Sequence, residues 1–184
     1  MNKLKYLLFL LPIVAVFLFS SFNSNNNDAK SNNGSLVWHT NVKEAMEIAK
    51  KEDKPLFLFF TGSDWCGWCI RLQKEVFKTP EFEAWAKEKV VLVELDFPRG
   101  KAQTEEIKTQ NNGLQQAFGV QGFPTVWFAK ADNKAGKINF EQLGSTGYVA
   151  GGPSVWLAGA DQIIAKFVPS SKAGKKRIKP AKSK

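Results

Sequence analysis

Apolar runs separated by polar breaks divide this chain into a regular alternation of elements. Residues 55–61 contain the unbroken run Leu56-Phe57-Leu58-Phe59-Phe60, the pattern of a strand buried on both faces of a sheet. Residues 90–95 predict a second strand of the same kind. Between them, residues 68–76 predict a helix, and a further helix follows Thr79-Pro80, with Pro80 suited to its first turn. Upstream, residues 36–39 predict a short strand. Val42, Ala45, Met46 and Ala49 then recur at helical spacing over 42–51, behind Asn41 as N-cap. Downstream, residues 97–113 are polar and partly helical, and residues 114–118 continue as helix. Residues 125–129 and 138–143 predict strands, and residues 154–168 a last helix. There is no internal repeat. Strands and helices in this order predict an α/β fold, a central mixed sheet with helices on both faces.

The two ends break the pattern. Residues 1–22 begin with Lys3 and Lys5 and continue as an uncharged apolar run over 6–19. They predict a secretory signal peptide or an N-terminal membrane anchor, so the domain is expected outside the cytoplasmic membrane, in the periplasm or cell envelope. Residues 23–35 are rich in Asn and Ser and read as a linker. Residues 170–184 form a basic tail expected to be disordered. This leaves residues 36–169 as one globular domain within the 184-residue chain.

Charge changes meaning once the ends are set aside. The chain carries 26 basic and 17 acidic residues, a formal net charge of +9. Nine of the basic residues and none of the acidic ones lie in the N-terminal segment and the tail, so the middle is balanced at 17 of each. A nucleic-acid partner loses its electrostatic support. Two cysteines and one histidine, His39, exclude a disulfide-rich scaffold and leave a structural zinc site short of ligands, so no metal is expected.

The chemistry lies in Trp65-Cys66-Gly67-Trp68-Cys69, between a predicted buried strand and a predicted helix. The first turn of a helix has unpaired N–H groups and partial positive charge, which stabilise a thiolate placed there. Cys66 is the expected nucleophile. Cys69, one turn further in, is the expected resolving thiol, and a three-residue offset keeps both sulfurs within bonding reach. A purely structural disulfide is the other reading, but so short a loop removes little entropy from the unfolded chain. Gly122-Phe123-Pro124-Thr125, ahead of a predicted strand, marks a place for a cis peptide bond.

With the CxxC pair and Pro124 in a βαβ pattern, residues 36–168 resemble the thioredoxin superfamily. Lys54-Pro55, Thr61-Gly62-Ser63-Asp64-Trp65-Cys66, Phe77, Pro80-Glu81-Phe82 and Leu95-Asp96 narrow the resemblance to exported members related to the DsbD C-terminal domain and the periplasmic DsbH branch. The resemblance implies a thioredoxin fold and thiol–disulfide exchange with no cofactor beyond the Cys66–Cys69 pair. It also implies protein disulfide substrates and a membrane thiol-reductant donor as partners. Pro124 would lie against the cysteines, and Phe123 would offer its backbone to an extended client. Trp65, Gly67 and Trp68 would complete the substrate surface, with Gly144 and Gly147 allowing close backbone approach.

The chain also departs from that family. Members carry a buried aspartate six residues before the first cysteine, where Phe60 stands. Leu92 replaces the lysine expected on the next strand, and Gln73 the glutamate four residues after the second cysteine. A resolving thiol must still lose a proton, and Asp64 and Glu94 are the candidates for a proton relay. The direction of electron flow stays open. Disulfide reduction leads, with a disulfide donor, an isomerase or a non-catalytic binding module as alternatives.

Overall fold

The computed structural model describes residues 36–134 and 137–169; the readings placed on residues 1–35 and on the basic tail lie outside them. Five strands form one sheet in the order β1-β3-β2-β4-β5. These are β1 (Trp38–His39), β2 (Leu56–Thr61), β3 (Val91–Asp96), β4 (Thr125–Lys134) and β5 (Lys137–Thr146). The pairs β1–β3 and β2–β3 are parallel, while β2–β4 and β4–β5 are antiparallel, which is the mixed sheet that the alternation predicts.

Five α-helices flank the sheet: α1 (Val42–Glu52), α2 (Gly67–Leu72), α3 (Pro80–Lys89), α4 (Glu105–Ala117) and α5 (Gly152–Ile164). Asn41 caps α1, its Oδ1 accepting from the backbone of Lys43 and Glu44 at 3.0 and 3.3 Å. Thr79 caps α3 ahead of Pro80. The helix predicted over 68–76 is observed as α2 followed by a π-helical turn, Gln73–Phe77. The polar region resolves into an extended segment, 97–104, and one continuous helix, α4, capped by Thr104.

The pleat of β2 divides its run between two cores. Phe57 and Phe59 pack with Cys66, Cys69, Leu72, Phe77, Phe82, Val126, Phe128 and Trp156 on the face covered by α2, α3 and α5. Leu56, Leu58 and Phe60 pack with Val42, Met46, Val93, Leu95, Leu114 and Phe118 on the face covered by α1 and α4. Both faces are closed, so all five apolar residues of the run are essentially inaccessible. The first face is unusually aromatic. Phe57 alone meets the rings of Trp38, Phe77, Phe82, Trp85, Phe128 and Trp156 at 5.3–6.5 Å. This is the platform on which the cysteine-bearing helix rests.

Candidate active site

Cys66 ends the turn after β2 and occupies the N-cap of α2 with extended backbone. Its amide donates to the Gly62 carbonyl at 2.8 Å, and its Sγ accepts from the Cys69 amide at 3.2 Å. The two cysteines form a disulfide with Cα atoms 5.2 Å apart. Cys66 keeps 6 % of its surface exposed and Cys69 none, so Cys66 is the outer member of the pair and Cys69 the inner one. The Phe123–Pro124 peptide is cis, at the mouth of β4.

Around the disulfide three loops are tied together. The Trp65 Nε1 donates to the Phe97 carbonyl at 2.8 Å. The Arg99 guanidinium lies 4.0 Å from the Trp65 ring centroid, and the Phe123 ring meets it edge-on at 6.0 Å. Phe123 in turn stacks on Phe97 at 5.0 Å. Asp64 accepts from the Arg99 amide at 3.0 and 3.2 Å and from the Gly100 amide at 2.6 Å. These backbone donors hold its carboxyl below the usual aspartate range. Ser63 donates to Asp96 through both its amide and its hydroxyl. The segment following β3 is thereby strapped onto the turn that delivers Cys66, a function for part of the polar region that its sequence does not reveal.

Trp68 is more exposed than Trp65 and leans on Tyr148 and Arg71. Gly67 has open space where a Cβ would stand. Gly147 does approach the cis-proline loop: a Cβ there would sit 3.2 Å from the Pro124 carbonyl. Gly144 does not. It lies within β5 at the register shift opposite Phe128 and Ala129, with φ +151°, and a Cβ there would meet Ile163 of α5 at 3.0 Å. Its freedom serves helix packing on the sheet.

The strand pleat decides which β2 side chain faces the cysteines. Counting back six positions from Cys66 leads to Phe60, yet Phe60 belongs to the opposite core. The residue on the cysteine face is Phe59, whose register partner on β3 is Glu94. Glu94 is half-buried and lines a cleft of about 450 Å³ beside α2, together with Gln73, Lys78 and Lys101. Burial pushes its carboxyl above the usual range; Asp96 adds to the rise and Lys101 opposes it. A carboxylate thus stands beside the β2 side chain that faces the cysteines. Thr61, next along the same pleat, is fully buried, and its Oγ1 has no hydrogen-bond partner. Nothing in the residue order singles out Thr61, Arg71, Tyr148 or Arg99. Among the described residues no cluster of His, Cys, Asp and Glu could hold a metal ion.

A model of the thioredoxin-like domain family matches residues 42–146. The chain belongs to the thioredoxin-like family. Among its relatives is the disulfide bond reductase DsbH of Chlamydia pneumoniae, 40 % identical over 116 residues, which cover 62 % of this chain and 69 % of that protein. The thioredoxin-related protein DsbJ of the same organism is 37 % identical over 92 residues, covering 50 % of this chain but 26 % of DsbJ. A solved structure of a DsbH oxidoreductase superposes with a TM-score of 0.63 at 33 % identity, covering 72 % of this chain and 87 % of that one. The homology to DsbH together with the closed Cys66–Cys69 pair makes this chain a thiol–disulfide oxidoreductase.

Proposed function

We propose that this protein reduces disulfides of client proteins in the bacterial cell envelope, with Cys66 as nucleophile and Cys69 as resolving thiol. The observation that carries the proposal is the asymmetry of the pair at a helix start, Cys66 keeping a little exposure and Cys69 fully enclosed. The Cys66 thiolate attacks one sulfur of a client disulfide, and the client's other cysteine leaves as a thiolate. Cys69 then gives up its proton and attacks the Cys66 sulfur, releasing the second client thiolate. Two electrons pass to the client, and the pair closes into the disulfide seen here. No further cofactor takes part.

Envelope compartments are oxidising, so the pair must be recharged by a dithiol donor, for which a membrane reductant is the natural source. Export rests on residues 1–22; no described helix is long and apolar enough to cross a membrane. The reductive direction rests on the similarity to DsbH. Trp65, Gly67, Trp68, Phe123 and Pro124 form the client surface, with the Phe123 backbone offered to an extended client. For the proton of Cys69, Glu94 is the better of the two acids. Its raised affinity for protons and its place beside Phe59 support the role. Asp64 is committed to backbone donors and stays ionised.

The deciding measurement is the reduction potential of the pair. A value near or below roughly −270 mV is expected, whereas one near roughly −120 mV would make the protein a disulfide donor. Cys69→Ser should accumulate a mixed disulfide between Cys66 and client; a variant that traps nothing would favour a binding module. Glu94→Gln should slow turnover and shift the acid limb of its pH profile. An unchanged profile would remove Glu94 from the mechanism.

A further inference from the structure

Four side chains close a ring beside the reactive pair. The Tyr148 hydroxyl donates to Glu75 Oε2 at 2.6 Å, and Glu75 Oε1 accepts from Arg71 Nε at 2.8 Å. The Arg71 guanidinium lies 5.1 Å from the Tyr148 ring centroid and 5.4 Å from that of Trp68, and the two rings are themselves 5.1 Å apart. Trp68 and Arg71 come from α2, Glu75 from the π-helical turn, and Tyr148 from the loop after β5. That loop is fixed at its root, because Trp156 Nε1 donates to the Gly147 carbonyl at 3.0 Å and Gly147 abuts the Pro124 carbonyl.

Two consequences follow for recognition. First, the two charges of the ring pair with each other. Each Glu75 oxygen has a partner, and Arg71 gives its Nε to Glu75 and its flat face to two aromatic rings. The pair carries no net charge, while the Arg71 side chain keeps 52 % of its surface exposed. Second, the outward surface beside the ring is partly apolar: Trp68 is 55 % exposed and Val149, next to Tyr148, 40 %. A tryptophan already fixed by its neighbours loses little rotamer freedom when a client settles on it.

We infer that the Tyr148–Glu75–Arg71 ring fixes Trp68 as an aromatic shelf that selects clients with an aromatic residue beside the reacting cysteine. The inference rests on the reductase reading and names the client chemistry of that site. Trp68 stands between the two cysteines, so a client whose disulfide reaches Cys66 must pass it. Tyr148, Glu75 and Arg71 are positioning residues acting through Trp68.

The test uses three synthetic peptides of one length. Each carries a single cysteine in a mixed disulfide with 2-mercaptoethanol, and they differ only in Phe, Gln or Glu beside that cysteine. The protein is recycled with dithiothreitol, and kcat and KM are measured for each peptide. One aromatic contact corresponds to roughly a three- to tenfold preference for the Phe peptide over the Gln peptide, carried by KM. Tyr148→Phe keeps the ring and deletes the hydroxyl; it should bring that ratio most of the way to one, and Trp68→Ala should abolish it. A change in fold or reduction potential would move all three peptides together and leave the ratio intact. The inference is overturned if wild type treats the Phe and Gln peptides alike, prefers the Glu peptide, or keeps its full ratio in Tyr148→Phe. A protein that reduces none of the three would sink the reductase reading itself, a result distinct from equal reduction of all.

Discussion

Trp65 and Trp68 flank the same five-residue motif, and each carries an arginine against its ring, yet they are held in opposite ways. Trp65 is built into the scaffold. Its indole nitrogen is bonded to a backbone carbonyl, its ring lies where a Gly62 side chain would be, and Phe123 closes on its edge. Trp68 is held by side chains alone, through Tyr148, Arg71 and Glu75, and keeps more of its surface in solvent. The arginines differ in the same sense: Arg71 is ion-paired with Glu75, while Arg99 joins no ion pair among the described residues. One tryptophan is therefore tied into the turn that carries Cys66, and the other stands on the exposed surface proposed to meet a client. Substitutions at the first should cost stability and reactivity together, and substitutions at the second should cost selectivity alone.

The largest break in that contrast is expected at Gly62. A Cβ there would stand 2.4–2.7 Å from three atoms of the Trp65 ring. Gly62→Ala must expel the indole or displace the turn, and overpacking of this kind costs about 1–3 kcal/mol. Denaturant unfolding should show that loss, together with slower alkylation of reduced Cys66. A variant as stable as wild type would mean that Trp65 is not held by this contact.

What could be read from the residues alone divides along the same line. The CxxC pair, its place between strand and helix, the Asn41 cap and the Phe123–Pro124 junction are local signals, and each lies where its spacing predicts. Which β2 side chain faces the cysteines was not legible by counting. An offset from Cys66 assumes the length of the intervening turn, whereas the pleat of β2 decides which side chain faces the cysteines, and it selects Phe59 over Phe60. Asp64 reads as a reactive acid because it stands two residues from a nucleophile; its partners, the amides of Arg99 and Gly100, are 35 and 36 residues away. The Tyr148–Glu75 bond spans 73 residues and leaves no trace in either segment. Helix α4 was partly hidden because it buries only Asn111 and Leu114, too few apolar positions to declare a period.

A smaller effect is expected when Trp65 keeps an aromatic ring but loses its hydrogen bond. Trp65→Phe removes the donor to the Phe97 carbonyl and should cost about 1 kcal/mol. Asp64→Asn sharpens the same side of the contrast through pH. The folded carboxyl is held below the ordinary aspartate value by the Arg99 and Gly100 amides. Its contribution to stability is therefore complete above the unfolded pKa and is lost as pH falls through the lowered folded one. The unfolding midpoints of wild type and Asp64→Asn should differ at neutral pH and converge in acid. A gap that persists in acid would assign the effect to something other than the carboxylate charge.

The smallest effect on stability, and the sharpest test of the contrast, belongs to Glu75. It pairs with Arg71 four residues away on an exposed surface, where such pairs contribute little to folding. Glu75→Gln should lower the unfolding midpoint at neutral pH only slightly while loosening Trp68 and lowering the preference for an aromatic client. The same carboxylate sets the pH range of the shelf. The Tyr148 hydroxyl and Arg71 hold Glu75 ionised below the ordinary glutamate range, and Glu75 holds the Tyr148 hydroxyl protonated above the ordinary tyrosine range. Both partners thus keep their bonding form from below about pH 4.3 to above about pH 10. The Trp68 indole resonances, followed by NMR across that interval, should stay constant in wild type. If they move near pH 4.3 in step with an ordinary glutamate, Trp68 is not held by this ring, and the two tryptophans do not differ in the way their contacts imply.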